Sequence, residues 1–351
     1  MKKKLLVPFL GLVAAAVLLT GCASGLSASS WPGITIESKV AYIAGGPYVY
    51  AVNLQTGAEL WRFPSSASTA NPFDAAPTLT ADGQLIVGGF DHKLYSLNPA
   101  NKAQNWTFSG AHDKYIGSPL ASGNMIYAPN ADYNLYALDT TGQLKWTFSA
   151  DQSIWSQPAT DGTRIFFGTD GHQVYALDAA SGKLDWKYTV DDAVLGSPVL
   201  DGSLLIVGTY GGSLYALDPA TGSLRWKVQV ADRIWGGPAV SDGMIYFGDG
   251  SGNFYAYSTT GQLVWKQVLS GGVIGSPAVL QNKVAVGTDS GTLYFITLDG
   301  KTVSPVSVGG KIYSSLASNG SLVLVSSTGA SALLTALDAN GTQKWSYTPT
   351  K

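Results

Sequence analysis

One short pattern recurs along the chain at nearly constant spacing, and it limits the fold more than any other feature. Its clearest copy runs Leu214-Tyr215-Ala216-Leu217-Asp218, then Pro219-Ala220-Thr221-Gly222-Ser223-Leu224-Arg225-Trp226. Close copies lie at Tyr136 to Trp146 and Tyr175 to Trp186. Looser ones lie at Tyr50 to Trp61, Tyr95 to Trp106, Tyr255 to Trp265 and Ala336 to Trp345. Tyr294 to Ser304 is a degenerate copy without the Trp. The anchors Trp61, Trp106, Trp146, Trp186, Trp226, Trp265, Ser304 and Trp345 are 45, 40, 40, 40, 39, 39 and 41 residues apart. A strand-rich repeat near forty residues marks a propeller blade. Eight anchors predict an all-β, eight-bladed β-propeller of four-stranded antiparallel blades.

The residues of the unit explain the repeat. Along a pleated strand Tyr215 and Leu217 share one face, and Leu214 and Ala216 the other. Ala is a poor strand former, so its recurrence predicts a place where a neighbouring blade approaches too closely for a larger side chain. Asp218 is placed to accept backbone N–H groups of the following turn, and Gly222 supplies positive φ there. The tryptophans are expected to dock blade on blade, burying a large flat area that a lone blade cannot cover. For the blade of Trp226 the expected strands are Val194 to Leu200 (innermost), Leu204 to Thr209, Leu214 to Asp218 and Leu224 to Val230. The eighth repeat is complete, which predicts closure by packing the first blade on the eighth without a borrowed strand.

The N-terminal residues are of another kind. Lys2, Lys3 and Lys4 precede an apolar run from Leu5 to Leu19, and the segment ends Leu19-Thr20-Gly21-Cys22. This is similar to a bacterial lipoprotein signal, in which the Cys is lipidated and becomes the mature N-terminus. The expected organisation is a signal peptide at 1–22 ending in lipidated Cys22, a flexible tether at 23–30 rich in Ser, Ala and Gly, and the propeller at 31–351. Cys22 is the only cysteine, so the fold contains no internal disulfide. The chain has 21 Lys+Arg and 23 Asp+Glu, and without the three signal lysines its net charge is −5. That balance argues against a nucleic-acid partner or a basic membrane-binding face.

Gly196-Ser197-Pro198 is a second landmark in the repeat. It recurs as Gly117-Ser118-Pro119 and Gly275-Ser276-Pro277, with variants at Ser156-Gln157-Pro158, Gly236-Gly237-Pro238 and Ala75-Ala76-Pro77. Three residues ahead of the prolines stand Asp74, Ile116, Trp155, Leu195, Trp235 and Ile274, with Tyr313 in the last blade. These positions are expected to gather at one mouth of the central channel. The candidate partner- or ligand-binding rim there comprises Asp113, Lys114, Trp155, Asp192, Asp232, Arg233, Trp235, Lys311 and Tyr313. Its mixed charge and indoles suit a peptide or small ligand. His92, His112 and His172 fall in different blades without metal-ligand spacing and read as loop residues. No nucleophile elbow, phosphate-binding loop or zinc-protease motif is present.

The repeat Tyr-Ala-Leu-Asp, a Gly turn, then Trp resembles the PQQ-like repeat of quinoproteins across residues 31 to 349. One branch of that family comprises PQQ-dependent dehydrogenases, which are longer and carry a calcium-bound acidic set in the funnel. Glu37 and Glu59 are the only glutamates here, and no such set converges in the sequence. A small dehydrogenase is therefore the least favoured reading, and no cofactor is expected. The other branch comprises compact BamB-type lipoproteins, which this chain resembles in its signal, lipid Cys, blade number and length. The resemblance implies a non-enzymatic scaffold, itself monomeric, anchored through its lipid in the cell envelope. Its implied partners are the β-barrel assembly machinery and its client proteins, at the periplasmic face of an outer membrane where the cell has one. The alternative role is a cell-surface lipoprotein that binds or senses a peptide or carbohydrate.

Overall fold

The computed structural model describes residues 31–66 and 72–350. The expected signal peptide, Cys22 and the tether lie outside the described residues. The described chain forms 32 strands in eight four-stranded antiparallel sheets. Each sheet is built from four consecutive strands. The blades span Gly33–Phe63, Thr78–Phe108, Leu120–Ser149, Ala159–Thr189, Val199–Gln229, Ala239–Val268, Ala278–Ser307 and Ala317–Tyr347. The innermost strands of neighbouring blades adjoin, and that of the eighth blade lies beside that of the first. The ring is thus a closed eight-bladed β-propeller, and no blade takes a strand from the other terminus.

The hydrophobic core is divided into eight clusters, one at each seam between blades. At the seam between the fourth and fifth blades, Tyr215 and Leu217 pack with Val174, Ala176 and Trp186 of the preceding blade. Leu214, on the other face, packs with Ile245, Phe247 and Tyr255 of the next blade. A blade is therefore apolar on both faces and cannot be dry alone, the usual basis of repeat stability.

The seven blade tryptophans fit a seat made of three recurring parts, with two local variants: Ser96 stands for Ala across from Trp106, and Lys102 stands for the turn glycine facing Trp61. First, the repeated Ala lies directly across the ladder from it: Ala137 from Trp146, Ala176 from Trp186, Ala216 from Trp226 and Ala256 from Trp265. A β-bulge follows each of these pairs, shifting the register where the indole lies. Second, the indole N–H donates to a turn carbonyl of the next blade. Trp186 reaches Pro219 O at 3.0 Å and Trp226 reaches Thr259 O at 2.9 Å. Trp345 closes the ring by donating to Leu54 O at 2.8 Å. Third, the turn glycine of the next blade lies against the indole. A Cβ on Gly222 would sit 2.7 Å from Trp186 Cδ2, and its φ of 73° is left-handed. Gly222 thus serves the seat as well as the turn. Asp218 Oδ1 holds that turn, accepting Ala220 N at 2.8 Å and Thr221 N at 3.0 Å.

The seventh blade departs from this scheme in a consistent way. Ser304 replaces Trp, and the residue across the ladder from it is Phe295 instead of Ala. Phe295 is fully buried and packs at the seam with the eighth blade. The bulge is absent there. The turn carbonyl that an indole would have engaged, Ala339 O, accepts Lys283 Nζ at 2.8 Å. Both functions of the missing Trp, volume and hydrogen bonding, are met by other residues.

One boundary differs from the sequence reading. The innermost strand of the fifth blade is Val199–Asp201, much shorter than Val194 to Leu200. In every blade this strand starts only after the landmark proline or its substitute. Backbone crowding around the axis explains the difference. A Cβ on Gly196 would lie 2.6 Å from the carbonyl carbon of Gly236, so main chain meets main chain where a ladder partner would stand. Pro198, lacking an N–H, closes this non-strand segment.

Candidate functional site

The Gly-Ser-Pro segments and the residues before them form a funnel on the propeller axis, which with an arm along the seam of the first and eighth blades encloses about 1440 Å³. One residue per blade, three ahead of the proline position, projects into it: Asp74, Ile116, Trp155, Leu195, Trp235, Ile274 and Tyr313. The first blade contributes Trp31 and Pro32. Trp31 lies 5.9 Å from both Trp235 and Tyr313, ring centre to ring centre, and Tyr210 meets Trp235 edge-on at 5.0 Å. The walls are therefore aliphatic and aromatic, with main-chain amides of the glycine segments between them.

Of the nine rim residues read from the sequence, Lys114, Trp155, Trp235 and Tyr313 line the funnel. Asp113, Asp192, Asp232, Arg233 and Lys311 do not. The three aspartates have a local role instead. Each accepts the N–H of the following residue, Lys114, Ala193 and Arg233, at 2.7, 2.7 and 2.8 Å. Asp232 also accepts Ser251 Oγ at 2.7 Å. Those hydrogen bonds hold Asp232 below the ordinary carboxylate range, Ser251 contributing most. The Arg233 guanidinium lies over the rings of Tyr210 and Trp235 at 5.6 and 6.0 Å, and Lys311 lies 6.0 Å from the Tyr313 ring. These cations therefore stand beside funnel rings without lining the cavity.

The sequence reading places Asp74 at the mouth but leaves it out of the candidate rim. Among the described residues it is the single acidic side chain lining the funnel. Burial pushes its carboxyl up to about 6, against the opposing pull of Lys114. Among the described residues its Oδ1 accepts no hydrogen bond and it forms no ion pair. The sequence signal was available: six of the seven residues at this repeat position are apolar or aromatic, and Asp74 is the exception.

This lining does not fit the calcium–quinone pair associated with PQQ-like repeats. Calcium takes six to eight oxygen ligands, several of them carboxylate, whereas among the described residues the funnel offers one aspartate and no glutamate or asparagine. The histidines are exposed turn residues, and His92 and His172 both have a left-handed φ of 65°. Among the described residues no three His, Cys, Asp or Glu side chains form a group able to hold a metal ion.

A second feature lies on the outer edge. Outer strands leave one side of their main chain unpaired, open to another strand. That of the sixth blade, Leu263–Val268, exposes Leu263, Val264 and Val268, the last 74% exposed.

Comparison with known proteins places this geometry. The crystal structure of BamB from Moraxella catarrhalis superposes with a TM-score of 0.73 at 18% identity, covering 84% of this chain and 92% of that one. The computationally designed protein Ika8 superposes with a TM-score of 0.77 at 14% identity, covering 88% and 96%. At such identities the likeness is one of fold. No match is found among curated proteins. A family model described as outer membrane protein assembly factor BamB matches residues 46–156, 140–233 and 211–348, almost the whole ring. The chain belongs to that BamB family of propellers.

Proposed function

We propose that the protein is a non-enzymatic, lipid-anchored scaffold with a BamB-like role in assembling β-barrel proteins of the outer membrane. The observation that carries this reading is the family match across nearly every blade. The lipoprotein-like ending Leu19-Thr20-Gly21-Cys22 supports anchoring at Cys22. The funnel's single carboxylate argues against calcium-dependent quinone chemistry. The rigid ring, with main chain open along its outer edges, suits the docking of other chains.

The edge of the sixth blade is the contact this reading favours. Barrel precursors are strand-forming chains, and an exposed edge can bind an extended segment by main-chain pairing, with side-chain pockets adding selectivity. Crosslinking in intact cells followed by mass spectrometry tests the role. The barrel-forming subunit or its clients should be recovered, and recovery should fall several-fold in the Val264→Lys, Val268→Lys double variant. Recovery of unrelated envelope proteins alone would overturn it. Replacing Cys22 with Ala should release the protein from the membrane fraction.

A further inference from the structure

We infer that the funnel is a binding site for an organic ammonium ion carried on an apolar body, with Asp74 as the counter-ion. This inference stands apart from the scaffold role and rests on the funnel alone.

Among the described residues, three polar side-chain atoms of the funnel have no partner: Asp74 Oδ1, Ser156 Oγ and Trp235 Nε1. Ser156 is only 4% exposed. Buried polar atoms almost always find partners, and each one left unpaired costs about 1–3 kcal/mol. Here the three side chains line one cavity, on segments entering the second, fourth and sixth blades, and each orphan atom is itself enclosed, so that a ligand engages it as its side chain turns toward the cavity. Together they offer an acceptor with negative charge, an N–H donor and a hydroxyl able to do either.

The rest of the lining sets the ligand's character. Trp31, Trp155, Trp235 and Tyr313 provide ring faces and edges, which attract an alkylammonium by cation–π interaction and pack an apolar body. The funnel's cations do not neutralise Asp74 by pairing. Arg62 is held by both carboxylate oxygens of Glu59, at 2.7 and 2.6 Å. Lys114 directs its ammonium to within 5.4 Å of the Phe90 ring centre and makes no ion pair among the described residues. An incoming ammonium ion would pair with Asp74, and an acceptor on the same ligand would meet the Trp235 N–H. The cavity volume exceeds the span typical of small-molecule pockets, so a side chain presented by an extended protein segment also fits. The source can be a free amine or a lysine side chain; the chemistry is shared.

The test is a titration of the intact chain followed by the indole N–H resonances. The probes are phenethylamine, its neutral isostere 2-phenylethanol and the anion phenylacetate, each up to about 10 mM, a range that detects weak binding of a few kcal/mol. Phenethylamine should shift the Trp235 indole resonance, at least tenfold more tightly than either comparison probe. Asp74→Asn should weaken it at least tenfold. Trp235→Phe, which keeps a ring and loses the N–H, should weaken it a few-fold. A short lysine peptide and its norleucine counterpart separate the sources. Asp74-dependent binding of the lysine peptide assigns the site to a protein segment, and binding of phenethylamine alone assigns it to a free amine. Equal binding of the alcohol, unchanged binding by the Asp74→Asn protein, or no response to either cation would overturn the inference. The thermal melt of each variant establishes that it is folded before its titration is read.

Discussion

At the scale of single residues, the seat of the indole makes firm demands. Trp226→Ala should cost about 3–5 kcal/mol in urea unfolding, as truncation of a large packed aromatic does. Gly222→Ala should also destabilise, because the added carbon meets the Trp186 ring and the backbone there is left-handed. The seventh blade supplies a sharper test. Ser304→Trp alone should destabilise by about 1–3 kcal/mol, since Phe295 already fills the seat. Combined with Phe295→Ala it should cost less than the two single changes added together, a coupling that a double-mutant cycle measures. Asp74 predicts a dependence on pH. Its folded-state value, about 6, lies above its ordinary 3.8, so the folded chain holds the proton more tightly than the unfolded one. Stability should therefore fall as pH rises between these values and stay lower above them. Asp74→Asn should abolish that fall and stabilise the protein at neutral pH by about 1–3 kcal/mol, checked by urea titrations across the window. The tryptophans could be read from the sequence because they recur in register. Asp74 could be read as an exception, but its missing partner could not, since that depends on what the other blades bring to the axis.

At the scale of blades and seams, the joint between the eighth and first blades has a clasp that its Trp345 seat alone does not explain. Arg62 forks onto Glu59, Tyr347 donates to the same carboxylate, and Arg62 Nη1 reaches Thr350 O at 2.8 Å. The Arg62 hydrogen bond is the main cause holding Glu59 below its ordinary 4.5, with Tyr347 helping against burial. A lowered value means that this stability is present above about 4.5 and is lost as pH falls below it. Acid should thus loosen the closing seam, and Glu59→Gln should remove about 1–3 kcal/mol at pH 7, seen as a lower urea midpoint. The two carboxylates act in opposite directions, and the single variants separate them. Nothing in the sequence announced this clasp. Glu59 and Tyr347 lie 288 positions apart, and no other repeat has a glutamate at the Glu59 position. The start of the inner strand escaped the sequence for a related reason. Val194 to Leu200 has the composition of a strand, but main chain from the next blade occupies the place of a ladder partner.

At the scale of the whole molecule, blade number and order were legible because each blade is one contiguous repeat. The position of the ends follows from that. Trp31 and Thr350 both border the funnel, so a linker crossing its mouth can join them. A circular permutant opened at the exposed Gly202 would complete the fifth blade with strands from both new ends. It should fold to the same far-ultraviolet spectrum and unfold more slowly than the parent chain, because its joint would include ladder hydrogen bonds. The natural joint has none, since every ladder lies within a blade of consecutive strands. Mechanically the protein is a split washer: no sheet crosses any seam, and the seam between the eighth and first blades is the one that no chain connection bridges either. Amide exchange should show the flanks of that gap opening before the rest of the hoop.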